Sequence, residues 1–435
     1  MADIHYHIER PGPRSRYSVA HLLGPMAGWD AVEVQEMSDL RKVMGPKLVY
    51  GHTAMEGAFQ VVPHGLLEQE RIEHLEPEVG LSLGMPVLFP SESGDLPFDL
   101  FAATFFQLSR YEEYGPVERD EHGRPKTDAL HAARHGYLDR PVVDEWLLTF
   151  VESWRKKDPR LPMLRREYAH TATLDVDNGA MYRGRPWWRS IGGGARDLLK
   201  GHPRRVMDRL AVLTGSRSDP YAVHETFLDL VERSGGHAIV NFLTAPIGKH
   251  DHAIGPEVPF MQALVKRMAQ RAEVGLHPGY ESSENAFRIS EEKERLEAVV
   301  GRPVTHSRQH FLRLRLPGTY HYLEGIGILE DHSMGLADHT GFRAGPCTAF
   351  PFYDLAAERE TTLMIHPFAM MDSAMCYKMH LSPREAVAEA KRLVDAVREV
   401  QGHFISVWHE RFLSGYGDEA GWGGVAEEVL QYARP

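Results

Sequence analysis

Two aspartates close an apolar run, TLDVDN (173–178), at a spacing of i, i+2. In an extended strand that spacing puts both carboxylates on one face, where two like charges are costly unless something compensates. A divalent cation held by one of them would compensate and leave the other as a general base. The alternative is a strand that simply ends in an aspartate turn before Asn178 and Gly179. A second run, VGLHPGYESS (274–283), ends in His277, with Glu281 four residues further on. Other runs end in Arg308 and His310, in Asp331 and His332, in His366, and in His409. Together these are candidates for a catalytic or metal-binding site at one end of the sheet. No single histidine carries the inference, because the chain holds 25 of them. The coincidence of so many ionisable residues at strand ends does.

Each of these groups needs an element to deliver it. Strand-like runs are expected at 170–177, 237–245, 272–277, 303–310, 327–334, 361–368 and 403–409, with amphipathic segments between most of them. The last such segment, 382–402, has Ser382 before Pro383, Glu385 in its first turn and Gly402 beyond its end, which is good capping chemistry. Strands alternating with helices imply parallel βαβ units. Seven of them predict a closed or nearly closed (β/α)7-type barrel with its site at the C-terminal mouth. Residues 1–162 are less regular, with short strands near 47–52 and 86–90 and helices near 99–114 and 142–156. They read as a smaller α+β domain with no motif that carries chemistry, and KKDPRLP (156–162) marks the boundary with a second domain, 163–435. A segment at about 181–220 interrupts the first crossover with a basic stretch and the Trp187–Trp188 pair. It is either a surface insertion or a lid whose aromatics stack on sugar rings. The loop GFRAGPCTAFPFYD (341–354) either packs on the N-terminal part or lines the site.

Composition bounds the partners. The chain has 435 residues, 43% hydrophobic and 25% charged, as a globular protein with a sizeable core does. A net charge of −12 argues against nucleic acid or an anionic membrane as the main partner. Two cysteines, Cys347 and Cys376, allow no disulfide framework and no multi-cysteine zinc site. The N-terminus has no apolar signal region and no run reaches membrane-spanning length, so a cytoplasmic location is expected.

The stretches TLDVDN, SRQHFLRL, GFRAG and SVWHERF, with FDLFAATFFQLSRYEEY in the N-terminal half, resemble the polysaccharide deacetylase (NodB-homology) superfamily. This is carbohydrate esterase family 4 in the broad sense, here in a divergent bacterial branch with an extra N-terminal domain. The resemblance implies a distorted (β/α) barrel that hydrolyses acetamides on sugars with a divalent cation. It makes Asp175 the general base, Asp177 a metal ligand and His277 a second ligand. Arg308 would brace the base, Asp331 would tune the acid, and His409 after Trp408 would be the acid. The family's second motif histidine is replaced by Glu281. Glu281 and His310 are therefore rival third ligands, with His366 behind them and water a further possibility. Zinc is the first expectation, with manganese, cobalt or magnesium as alternatives. The implied partner is a carbohydrate bearing an N-acetyl group, small or lipid-linked. Two other readings stay open: a degenerate barrel that binds carbohydrate or a protein, and a hydrolase of cyclic amides.

Overall fold

The computed structural model describes residues 3–82 and 84–435. Its N-terminal segment is built on a four-stranded sheet of β1 (Ile4–Ile8), β2 (Ala31–Glu33), β3 (Lys47–Tyr50) and β4 (Phe59–Val61). The order is β2-β1-β3-β4 and every pairing is parallel. A short antiparallel hairpin, β5 (Val79–Ser82) with β6 (Met85–Leu88), follows. The α+β expectation thus gives way to an all-parallel sheet with a hairpin appended. The helix expected at 99–114 is real over Leu100–Leu108, where Asp99 caps it by accepting from the Ala102 amide at 3.0 Å. It ends because Arg110 takes a left-handed conformation, and Tyr111–Tyr114 form a separate 3-10 turn.

The second sheet carries β7 (Ala169–Val176), β8 (His237–Leu243), β9 (Glu273–His277), β10 (His306–Ser307), β11 (Glu330–Asp331), β12 (Phe350–Asp354), β13 (Arg359–Ile365), β14 (Met370–Met371) and β15 (His403–His409). Their order is β12-β13-β11-β10-β9-β8-β7-β15-β14, and only β12 with β13 is antiparallel. Mixed α/β architecture with a large, mostly parallel sheet is therefore established. Closure into a barrel is not shown: β13 pairs β11 and β14 pairs β15, and no ladder joins β13 to β14. Two strands are also far shorter than their apolar runs, β10 and β11 keeping two residues each.

Alternation along β7 has the reverse polarity of a simple core strand. Ala172, Leu174 and Val176 join the apolar core, while Thr171, Thr173 and Asp175 occupy the other face, where Arg308 donates to Thr173 Oγ1 at 2.7 Å. Such a face is stable only if its polar groups are partnered or serve something else. The loop 341–354 packs on the N-terminal segment: Arg343 donates to Glu113 at 2.8 Å and the Cys347 amide to Asp144 at 2.8 Å. One continuous core runs through both segments. The insertion forms two helices, Trp187–Leu199 and Pro203–Leu213, that leave most of their large apolar side chains in solvent, Val212 being buried.

Glu113 ties the N-terminal segment to the loop 341–354 electrostatically, lying between Arg110 and Arg343 with all three buried. Burial pushes its carboxyl up, but Arg343 and Arg110 outweigh this and hold it at about 2. A depressed carboxyl contributes stability that is complete above the ordinary glutamate range and fades as pH falls towards 2. Glu113→Ala leaves the buried Arg343 guanidinium with no carboxylate and Arg110 with Glu112 alone, so urea unfolding near neutral pH should give a loss of about 3–5 kcal/mol. That loss should shrink in acid.

Candidate metal centre

The carboxyl ends of the parallel strands converge on a cavity of about 480 Å³. Asp175 is in β7 and Asp177 just beyond it. His277 is the last residue of β9, and His409 the last of β15 and the cross-strand neighbour of Asp175. His310 arrives by a tight turn in which Phe311 and Leu312 both hold positive φ, 58° and 53°. For residues with side chains that backbone is strained, and surrounding contacts must impose it. One is Arg124 of the N-terminal segment, which donates to the Phe311 carbonyl at 2.9 Å.

Asp177, His277 and His310 form a compact, buried donor group. His277 donates from Nδ1 to the Arg308 carbonyl at 2.5 Å, leaving Nε2 3.5 Å from Asp177 Oδ1. His310 donates from Nδ1 to Asp251 at 2.8 Å, leaving Nε2 3.7 Å from the same oxygen. Pinning Nδ1 in this way fixes the tautomer whose Nε2 lone pair is free, as metal-binding histidines require. The other oxygen, Asp177 Oδ2, accepts from Arg411 at 3.1 Å, while Oδ1 is buried with no hydrogen-bond partner. Two imidazole nitrogens and an orphaned carboxylate oxygen suit zinc or a similar divalent ion. Ligands about 2.1 Å from one tetrahedral ion lie roughly 3.4 Å apart, close to the separations found. The residues therefore fit a cation.

Charges around the centre are strongly coupled. Burial alone would raise the Asp177 carboxyl, but contact with His277 and the fields of His409, His310 and Arg411 hold it well below the usual range. Burial pushes His310 down, so its imidazole is neutral, whereas Asp175 and Asp177 outweigh burial at His277 and raise it. Glu410 caps the loop after β7 by accepting from the backbone amides of Asp177, Asn178 and Gly179 at 3.2, 2.7 and 3.0 Å. Burial, then the Asp177 charge, raises Glu410 to about 7.

Several expected residues are brought together and others are not. Asp175 accepts from Asn241 at 2.9 Å and lies 3.2 Å from Arg308 Nε. Glu281 is exposed on the far side of its loop and lines a different groove, so the expected carboxylate ligand is absent from the cluster. The reason is local. Gly279 packs so closely that a Cβ there would meet Ala245 Cβ at 2.3 Å, and Glu292 accepts from its amide, so no helical turn swings residue 281 back beside His277. Asp331 is buried against Ser307 and Ser333, away from His409. The carboxylate that does hold His409 is Asp372, which accepts from His409 Nδ1 at 2.6 Å and from its amide at 2.7 Å. Burial lowers His409, but Asp372 more than offsets this and raises it to about 9. His366 belongs to a separate group with His306, Glu330 and His332 in another cavity.

Asp251, Asp372 and Asn241 had no sequence signal, because each meets its partner only across the fold. Glu410 and Arg411 stand directly after His409, and that adjacency could have flagged them. The N-terminal segment, silent in sequence, supplies His122 and Arg124 to the cavity wall. His122 meets the Tyr280 hydroxyl at 3.0 Å, and Tyr280 stacks on His250 at 4.1 Å. Trp187 and Trp188 do not line the cavity.

Residues 4–159 match the model of a family of unknown function (DUF7033). No curated protein matches. Among solved structures, the chain is similar to a "putative polysaccharide deacetylase" from Mycobacterium smegmatis, at 13% identity and a TM-score of 0.40, over 61% of this chain and 83% of that one.

Calorimetric titration with zinc should give one tight equivalent that Asp177→Ala abolishes and Glu281→Ala leaves unchanged. Asp251→Asn should weaken it about 10–100-fold through loss of His310 orientation. Because a proton on raised His277 competes with the ion, affinity should fall as pH falls, and binding should release protons, read as buffer-dependent heats.

Proposed function

We propose that the chain is a metal-dependent hydrolase that removes N-acetyl groups from an amino sugar or a glycan precursor, as polysaccharide deacetylases do. One observation carries this reading: the Asp177–His277–His310 donor group is flanked by Asp175 on one strand and by His409, braced by Asp372, on the adjacent strand. A bound divalent ion, zinc by preference, would polarise the acetamide carbonyl and make water acidic enough to be deprotonated near neutral pH.

The chain's own groups supply the remaining steps. Asp175, held by Asn241 and Arg308, accepts the proton of the attacking water. His409 has Nδ1 committed to Asp372, so Nε2 carries the proton offered to the departing amine. An amine leaves poorly unless protonated, and a histidine at about 9 is charged at neutral pH. Arg308 stays buried behind Asp175 and fixes its carboxylate. In this reading residues 163–435 carry the chemistry, and residues 1–162 complete the substrate wall through His122 and Arg124.

The wall also bears on the substrate. Among the described residues its carboxylates are Asp175 and Asp177, and Lys249 and Lys378 reach it without a carboxylate partner. An acidic substituent on the sugar, a phosphate or a carboxylate, suits that lining.

Metal-loaded protein should release acetate from N-acetylated amino sugars, and release from none of them would overturn the reading. Asp175→Asn and His409→Gln should each lower turnover about 10²–10⁴-fold while the bound zinc stays. The rate should persist to about pH 9, where His409 loses its proton. Asp372→Asn removes the raising influence and should move that alkaline limb to lower pH. The paired change Lys249→Ala and Lys378→Ala should raise KM for phosphorylated substrates and leave kcat nearly unchanged.

A further inference from the structure

The insertion after β7 has a charge and a surface unlike the rest of the chain. Residues 181–220 contain nine Lys or Arg and three Asp in a protein of net charge −12. Its helices also carry a cluster of large exposed apolar side chains: Trp187 75%, Ile191 64% and Leu199 89% on the first, Met207 67%, Leu210 53% and Leu213 47% on the second. The spacing is helical on both. Trp188, Ile191 and Leu198 share one face of Trp187–Leu199, and Met207, Leu210 and Leu213 recur every third residue on Pro203–Leu213. No residue of the first helix is buried, and the side chains of this face are each more than half exposed. A soluble monomer seldom leaves a patch of this kind uncovered.

The cations are as available as the apolar stripe. Arg196, Lys200 and Arg204 are exposed and have no carboxylate partner among the described residues, and Arg189 lies over the Trp188 ring at 5.3 Å. Other charges are spent on holding the hairpin: Arg209 pairs with Asp197 and Arg205 with Asp418. A paired tryptophan, an aliphatic stripe and flanking free basic residues have the composition of an interfacial helix. The rings sit at the headgroup level, the aliphatic chains enter the acyl boundary and the cations meet anionic headgroups. A helix face that recognised nucleic acid would present the bases without the aliphatic stripe. We propose that this helical hairpin docks the protein on an anionic lipid surface.

The hairpin's position gives docking a consequence. It begins directly after the loop of Asp177, and Arg185 ties it to Asn178 Oδ1 at 2.9 Å and to the His252 carbonyl at 3.1 Å, both residues of the cavity wall. A membrane-bound hairpin therefore holds the mouth of the cavity beside the lipid. Docking stands independently of what the cavity does. Only the further step, access to a sugar carried on lipid, rests on the deacetylase reading.

The full chain should co-sediment with vesicles of phosphatidylcholine and phosphatidylserine, and much less with phosphatidylcholine alone. Tryptophan emission should shift to the blue on binding. The pair Trp187→Ser and Trp188→Ser should abolish the blue shift and most of the binding. Arg196→Gln and Arg204→Gln should each lower partitioning about fivefold, and added salt should do the same. These side chains are exposed, so circular dichroism and the melting temperature should not change. The proposal is overturned if no vesicle is bound, or if the tryptophan pair can be removed without effect on binding. It is likewise overturned if the pair instead disperses a dimer in sedimentation equilibrium, which would assign the face to a second copy of the chain. Failure here leaves the acetate-release experiment untouched, because soluble substrates do not need the membrane.

Discussion

A single buried carboxylate with one oxygen satisfied and one left free constrains the rest of the site. Arg411 takes Asp177 Oδ2, and Oδ1 faces the Nε2 atoms of His277 and His310 with no donor of its own. An uncompensated carboxylate in that setting is costly, so each neighbour is arranged around it. Glu410 holds the three backbone amides that fix the loop, and both histidines are pinned at Nδ1 so that they turn the correct nitrogen inward. The pairing of β7 with β15, in register over seven residues, brings Asp175 and His409 to the same height beside it.

The second sheet and the N-terminal segment share one apolar core, and polar contacts around the site join them as well. The turn that carries His310 needs two residues at positive φ, and it is held partly by Arg124, a residue of the N-terminal segment. Tyr280, three residues after His277, receives His122 from the same segment. The buried Glu113–Arg343 pair and the Asp144 contacts to Cys347 fasten the two segments on another side. The N-terminal segment is thus part of the wall of the cavity, and separating it would remove contacts on which the strained turn relies.

Charge is partitioned rather than uniform. A chain of net charge −12 brings Arg124, Lys249, Lys378 and Arg411 to the cavity of its candidate centre and concentrates another basic group on an exposed hairpin. Net charge therefore does not describe the local fields that a partner would meet. The sum over 435 residues averages out local fields that act over roughly 10 Å in physiological salt.

Periodicity alone was enough to locate most of the parallel strands and the long helices Val142–Lys157 and Pro383–Glu399, because burial of an apolar face imposes a local repeat that survives in sequence. It also put Asp175, Asp177, His277, Arg308, His310 and His409 at strand ends, since a strand delivers its last residues to one edge of the sheet. It could not choose between Glu281 and His310. Spacing along the chain measures proximity only within a regular element, and Gly279, pressed against Ala245, breaks the turn that would have brought Glu281 back. Likewise Asp331 stood in sequence where a tuning carboxylate was wanted, while Asp372 holds His409 from the far side of the β14–β15 pairing. Which strand ends meet, which oxygen is left unpaired and which segment closes the wall depend on contacts between residues 30 to more than 200 positions apart. Only the folded chain brings those groups within hydrogen-bond reach.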